Sequence, residues 1–473
     1  MGKDAFKVTF VTLILVLLDL SALFLSFACG YYLRSSLFSK VIHLFPPILH
    51  GVDIYLDAWP ILFLWPLAFA YEGIYPSIGM SFWEETKSLL KGNVLAFTIL
   101  IVLTFVTKTA IQFSRPVIIL SFIASLMLLP LARRLCRSLS RKIGFWSRDV
   151  ALVGRADALR QLVCNLNKHP DWGLTPVGAV LVDSTDKDIG LPMFGKLDDI
   201  DEIRLNASEV IVAVPGASSR ELVDIVEKAA KIAPVVKVLP DLYGLASAGV
   251  QTHDLDGMLL LEIEDRLART RNRAIKRIFD IVLSLLGLVV LSPLFLILAI
   301  LIKLSSRGPV FFGHTRVGKD GNTFTCYKFR TMVENAKETL EELLANDPEA
   351  RAQWDKDFKL KEDPRVTRVG SFLRRTSLDE LPQLWNALKG EMSLVGPRPI
   401  VSDEVEKYGE KARYFFKVTP GITGLWQVSG RNDIDYDERV LLDEYYAKNW
   451  SLWLDIEIII RTFGAVLKKQ GAY

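Results

Sequence analysis

Two adjacent carboxylates, Asp379 and Glu380, lie in Thr376-Ser-Leu-Asp-Glu-Leu-Pro-Gln-Leu384, and the run Met392-Ser-Leu-Val-Gly-Pro-Arg-Pro399 follows closely. The same part of the chain carries Lys328, Arg330, Arg374, Arg375 and Arg398. Carboxylates among cations suit phosphoryl transfer, because charge building on nonbridging and departing oxygens must be met by fixed positive charge. A carboxylate that attacks phosphorus divides one transfer into two simpler ones through an acyl phosphate. Magnesium fits the same setting, since it prefers oxygen and is usually held by one or two carboxylates plus phosphate. Taken singly, each cation reads as a solvated surface group, and the two acids could merely complement a helix dipole for ~0.3–1 kcal/mol. Their company in one small region favours chemistry.

The spacing predicts how these groups are held. Ser377-x-x-Glu380 has capping-box spacing, Pro382 suits a first helical turn and Gly390 a terminator, so a helix is expected to begin at Ser377. The charged stretch Glu334 to Glu362 reads as a surface helix.

The rest of the chain must bring this region to a membrane. At 473 residues, 50% hydrophobic and with a mean hydropathy of +0.27, the chain exceeds one domain and places part of itself in lipid. Four apolar stretches, 8–30, 54–74, 92–113 and 116–132, approach the ~20 residues of a spanning helix, the last expected to end at Pro130. Asp19 within the first is expected at a helix-packing seam. Arg133, Arg134, Arg137, Arg141, Lys142 and Arg148 follow the fourth and place its end on the cytoplasmic side. A fifth stretch, Ile278 to Leu304, is basic at both ends and interrupted by Ser292-Pro293. A helix that enters one leaflet, breaks at Ser292 and Pro293 and returns satisfies both features; a kinked spanning helix is the alternative. Arg273, Lys276, Arg277, Lys303 and Arg307 would then lie at the interface as anchors or attract a lipid headgroup.

Between these parts, β-rich runs at 150–153, 177–182, 210–214 and 235–238 alternate with amphipathic stretches, which predicts a parallel sheet with crossover helices. Gly154 is the first glycine of a dinucleotide-binding pattern whose other glycines are missing, and Asp183 ends the second strand. A structural or regulatory role is expected for this part. The four cysteines have no paired spacing, so neither a disulfide framework nor a zinc site is expected.

From Arg271 onward the chain closely resembles the bacterial polyprenyl-phosphate hexose-1-phosphate transferases, in their large form. The motifs that carry the likeness are Lys276-Arg-Ile-Phe-Asp280, Ser292-Pro293, Gly308-Pro-Val-Phe-Phe312, Arg316-Val-Gly318, Lys328-Phe-Arg-Thr-Met332, Thr376 to Leu384, Gly396-Pro-Arg-Pro399 and Pro420-Gly-Ile-Thr-Gly-Leu-Trp426, with the Asp455 region and the ending Gly471-Ala-Tyr473. The resemblance implies a multidomain membrane protein: a four-helix transmembrane bundle (1–145), a Rossmann-like α/β domain (146–268), and a re-entrant helix with a mainly α catalytic domain (269–473). It implies Asp379 as nucleophile and Glu380 as its metal-associated partner, although adjacency leaves the two roles exchangeable. Arg374 and Arg398 would hold phosphate oxygens with Lys328 assisting, Arg316, Arg330 and Arg375 would bind substrate phosphate, and Asp455 would support activity. The implied reaction moves hexose-1-phosphate from a UDP-sugar, with UDP-galactose favoured over UDP-glucose or an N-acetylhexosamine donor, to undecaprenyl phosphate with Mg2+. It initiates O-antigen or exopolysaccharide synthesis at the bacterial inner membrane, with the catalytic domain facing the cytoplasm. No nucleic-acid partner is expected, and a homodimer is compatible with the composition. A non-catalytic scaffold or nucleotide sensor for polysaccharide assembly stands as the rival reading.

Overall fold

Lipid offers no hydrogen-bond partner to bare backbone, so the apolar first third must fold as helices. A computed structural model of the chain describes residues 2–38, 51, 53–109, 113–142, 146–182, 189–197, 207–239, 250–255, 258–262, 265–349, 351, 363–430 and 434–467. They fall into two compact units, Met1–Tyr243 and Gly244–Tyr473.

In the first unit, α1 (Gly2–Tyr32), α3 (Phe82–Val106) and α4 (Arg115–Lys142) include three segments long and apolar enough to cross a membrane. The expected helix over 54–74 is instead broken. A short turn at Asp53–Asp57 and a 3-10 turn at Trp59–Phe63 precede α2 (Leu64–Tyr71). Pro60 and Pro66 remove backbone donors here, and the helical pieces from Trp59 to Tyr71 reach only about 20 Å, short of a ~30 Å hydrocarbon core. Pro130, by contrast, does not stop its helix: α4 continues through it to Lys142. Packing against neighbouring helices makes the loss of one backbone bond tolerable.

Asp19 is fully buried, as a seam position should be, and its partner is Arg133. The Arg133 guanidinium donates to both Asp19 oxygens, at 2.8 and 2.5 Å, and to Glu85 Oε1 at 3.0 Å. Arg137 lies 2.8 Å from Glu85 Oε2. Two of the arginines counted as a cytoplasmic marker are therefore buried ion-pair partners. Tyr75 completes the cluster by donating its hydroxyl to Asp19 at 2.6 Å.

The α/β part of this unit is a parallel sheet of β1 (Arg148–Gly154), β2 (Leu174–Leu181), β3 (Met193–Lys196), β4 (Glu209–Ala213) and β5 (Val235–Val238), in the order 3-2-1-4-5. Helices α5 (Ala156–Lys168) and α6 (Ser219–Ala229) supply the crossovers. Val150 to Val153 of the central strand are wholly buried, as a strand covered on both faces requires. Gly154 has a packing reason: a Cβ there would come within 2.0 Å of the Ala213 carbonyl on β4. Arg155, where a phosphate loop would continue, donates instead to Pro215 O at 2.9 Å. Asp183 lies outside the described residues. Arg137 also donates to Met80 O at 3.0 Å, and the Gly79 amide to Trp172 O at 2.7 Å, tying the end of α4 and the segment before α3 to the turn preceding β2.

The second unit begins with a hairpin, β6 (Gln251–Leu255) and β7 (Met258–Glu262). Helices α7 (Thr270–Val290) and α8 (Ser292–Ser305) follow, bent by 60° at Leu291, with Pro293 in the first turn of α8. Ile278, Val282, Leu285, Val289, Ile297 and Ile300 are exposed along this pair. Then come an antiparallel hairpin, β8 (Phe311–Val317) and β9 (Thr323–Phe329), and a set of helices: α9 (Ala336–Asn346), α10 (Arg368–Thr376), α11 (Gln383–Lys389), α12 (Tyr436–Asn449) and α13 (Leu452–Leu467). A short parallel pair, β10 (Ser393–Val395) and β11 (Gly421–Thr423), joins them. Helix α9 covers part of the expected 334–362 surface helix; residues 350 and 352–362 lie outside the described set. So does the Gly471–Tyr473 ending.

Candidate active site

Asp379 and Glu380 lie between two helices rather than in the first turn of one. Ser377 takes the left-handed conformation (φ +56°) that closes α10, and Leu378–Glu380 form a single 3-10 turn. The expected capping box is absent, because Ser377 ends one helix instead of starting the next. Pro382 is the N-cap of α11 and Gly390, at φ +94°, terminates it as its permissive backbone allows.

Strand β9 faces this turn. Asn386 on α11 accepts from the Tyr327 amide at 3.0 Å and donates to Thr325 O at 2.7 Å, locking strand to helix. Lys328, the penultimate residue of the strand, and Arg330 just past its end flank Phe329, whose side chain enters the core. Lys328 Nζ lies 2.7 Å from Glu380 Oε1 and 3.9 Å from Asp379 Oδ2. Arg374 donates to Thr331 Oγ1 at 3.0 Å. Arg330, only 8% exposed, donates to Ser306 O at 2.9 Å.

These residues and Arg398 line a groove of about 1280 Å³, whose apolar walls include Leu291, Leu294, Phe312, Trp426 and Phe463. Asp379, 9% exposed, sits at its side. Burial is the main reason its carboxyl is pushed up to about 6; Lys328 opposes the rise and Glu380 adds to it. Arg316 is held below its usual value by burial and the nearby Arg398 cation, so it belongs to the same field without lining the groove. Arg375 is exposed outside the groove, and Ser292 and Pro293 mark the bend.

Asp455 is not in the groove. It is wholly buried, 2.8 Å from Lys276 Nζ, 2.7 Å from the Tyr446 hydroxyl and 3.1 Å from Trp450 Nε1. Lys276 donates further to Val395 O at 3.0 Å, and Asp280 accepts from the Ser393 hydroxyl and the Leu394 amide, both at 3.0 Å. The network clamps α7 to β10, the strand that leads into Arg398. Arg277 caps α11 by donating to Ala387 O and Leu388 O at 2.6 and 2.7 Å. Lys276 and Arg277 are thus internal struts, a correction to their reading as interfacial cations. Asn386 and Asp280 were missed; each belongs to a quoted or neighbouring motif, but only the fold shows what it touches.

For a metal, the available donors are the carboxylates of Asp379 and Glu380; among the described residues no group of three or more His, Cys, Asp or Glu converges. Two carboxylates fit Mg2+ that arrives with a diphosphate better than a resident ion.

Residues 271–469 match the family described as bacterial sugar transferase, and residues 70–236 match a CoA-binding domain family. The chain is 42% identical over 401 residues to undecaprenyl-phosphate galactose phosphotransferase of Salmonella typhimurium, covering 83% of each protein. It is 32% identical over 411 residues to UDP-glucose:undecaprenyl-phosphate glucose-1-phosphate transferase of Klebsiella pneumoniae, covering 84% of each. Exopolysaccharide production protein ExoY of Sinorhizobium fredii is 51% identical over 198 residues, which span 42% of this chain and 88% of that protein. With a cation-lined groove around paired carboxylates and this extent of identity, the chain belongs to the bacterial sugar transferases, the polyprenyl-phosphate hexose-1-phosphate transferase family of membrane enzymes.

Proposed function

We propose that this enzyme transfers hexose-1-phosphate from UDP-galactose to undecaprenyl phosphate through a covalent intermediate on Asp379. The observation that carries the reading is a buried carboxylate beside a cation-lined groove, ionised at neutral pH yet poorly solvated. In the first step an Asp379 oxygen attacks the phosphorus nearer the sugar, the bond to the α-phosphate oxygen breaks, and UMP departs with the electron pair. In the second, an oxygen of the lipid phosphate attacks the same phosphorus, the bond to Asp379 breaks, and the carboxylate is restored. Charge balances in both steps with no proton transfer required. Lys328, Arg398 and Arg316 meet the charge on the donor phosphates, and Arg374 steadies the transferred one. Asp379 and Glu380 would hold Mg2+, which supplies neutralisation of the diphosphate when bound.

Galactose is favoured by the relative named for it at 42% identity over most of the chain, against 32% for a relative named for glucose. The bend at Leu291, with basic residues at both ends of the α7–α8 pair, supports a re-entrant hairpin. Local thinning of the bilayer around the broken run from Trp59 to Tyr71 makes it a short fourth crossing of the bundle, which keeps residues 146–268 and the catalytic residues 269–473 on the cytoplasmic face of the inner membrane. The test is UMP release from a panel of UDP-sugars by the full chain, with magnesium and undecaprenyl phosphate, beside Asp379→Asn. Release from UDP-galactose that the variant abolishes supports the reading; release from another donor alone overturns the sugar, and none from any donor overturns the reaction.

A further inference from the structure

Arg330 presents an imbalance that its neighbours leave unresolved. Its guanidinium is buried, yet Nε and Nη1 have no hydrogen-bond partner among the described residues, while Nη2 donates to Ser306 O. Buried donors left unmade are costly, and a native site that keeps two of them on a charged group is built for an absent acceptor. The backbone makes room for that group: Gly308 stands at φ +112°, and a Cβ there would come within 2.0 Å of Arg330 Nη1. A planar guanidinium with unmade donors on two of its edges, Nε and Nη1, offers charge-assisted hydrogen bonds to the oxygens of a phosphate.

Resting on the transferase reading above, we infer that Arg330 is the clamp for the phosphate of the lipid acceptor, distinct from the donor cations Lys328 and Arg398. Ser306 immediately follows α8, so Arg330 is bonded to the place where the apolar hairpin ends. From Lys328 in β9 to Arg330 just past its end, the chain leads away from the residue that contacts Glu380 and toward Val310 and Gly308, since the Arg330 amide donates to Val310 O at 2.9 Å. The groove there is walled by Leu291, Leu294, Pro309 and Phe312, which suit a hydrocarbon chain rather than a nucleotide. The Glu334 carboxyl also flanks Gly308 and would oppose a bound anion, so it limits affinity at this site.

The two half-reactions separate the roles. UMP release from UDP-galactose in a single turnover without lipid reads the first step; turnover against undecaprenyl phosphate in detergent micelles reads the second. Arg330→Gln should keep single-turnover release within about threefold and raise KM for undecaprenyl phosphate at least tenfold, with Arg330→Lys between it and the parent. Gly308→Ala, which retains the charge but crowds the guanidinium, should raise the same KM, and Glu334→Gln should lower it. Inorganic phosphate at equal concentration should not compete; if it does, the site takes free phosphate. Loss of the first step in Arg330→Gln and Arg330→Lys alike would move the residue to the donor, and an unchanged KM in folded variants would remove it from substrate binding. Absence of any UMP release by the parent enzyme would instead overturn the transferase reading.

Discussion

Two clusters of buried charge, one in the helical bundle and one beside the groove, are finished to different degrees. In the bundle, Asp19, Glu85, Arg133 and Arg137 make two anions and two cations, each with an opposite charge within 3.0 Å, although Arg137 Nε is left unmade there too. In the groove, Asp379 has its nearest cation at 3.9 Å, and Arg330 leaves two donors unmade. Removing charge from water is repaid only where partners are well placed. The closed cluster therefore serves structure, while the open one keeps electrostatic interactions in reserve for a substrate.

The sharpest test of this contrast is Asp379→Asn, expected to reduce transfer on the order of 10⁴-fold or more, since a side-chain amide cannot attack phosphorus to form the acyl phosphate. UMP release measures it. The same variant should melt at a higher temperature. The folded-state value of about 6 exceeds the ordinary 3.8, so the native chain binds this proton more tightly and loses stability as pH rises through that window. Arg133→Ala should do the reverse, costing roughly 3–5 kcal/mol by stranding Asp19 while leaving turnover per folded molecule intact. Thermal melts in detergent check it, and a loss of turnover without a loss of stability would break the comparison. Asp455→Asn lies between the two kinds, because Asp455 acts on Arg398 at one remove, through Lys276 and Tyr446, which both donate to Val395 O of β10. A drop in kcat/KM on the order of 10- to 100-fold is expected, carried mainly by KM for the UDP-sugar, with the acid limb of the pH profile unmoved. That limb is the mildest effect. The first step should fall about tenfold between pH 7 and pH 5 as Asp379 takes up its proton.

What the sequence disclosed follows the range of the forces involved. Valine-rich runs marked four strands of the parallel sheet: β1, β2 and β4 because the sheet interior asks for a continuous apolar stretch, and β5 through its valines alone, with three of its four residues exposed; β3, as exposed, reads Met193-Phe-Gly-Lys196 and left no such trace. The long apolar helices were legible, whereas the break at 54–74 and the passage of α4 through Pro130 depend on packing. The reactive turn was found through residue types, but its backbone was misread: Ser377 satisfies a capping pattern on paper and a helix terminus in space. Least visible were charges joined across great separations, such as Lys276 with Asp455, 179 residues apart. Each looked like a surface group until its partner was known.

The pairing of Asp19 with Arg133 also imposes an order on biogenesis. The two residues are 114 positions apart, so the aspartate of α1 emerges from the ribosome well before the arginine of α4 has been translated. During that interval the first helix must wait in or beside the bilayer without the cation that Asp19 pairs with, and only the last long helix supplies it. Insertion of this bundle is thus concerted at its final stage, and a nascent chain cut off before α4 would present an acid side chain without its partner for quality control to recognise.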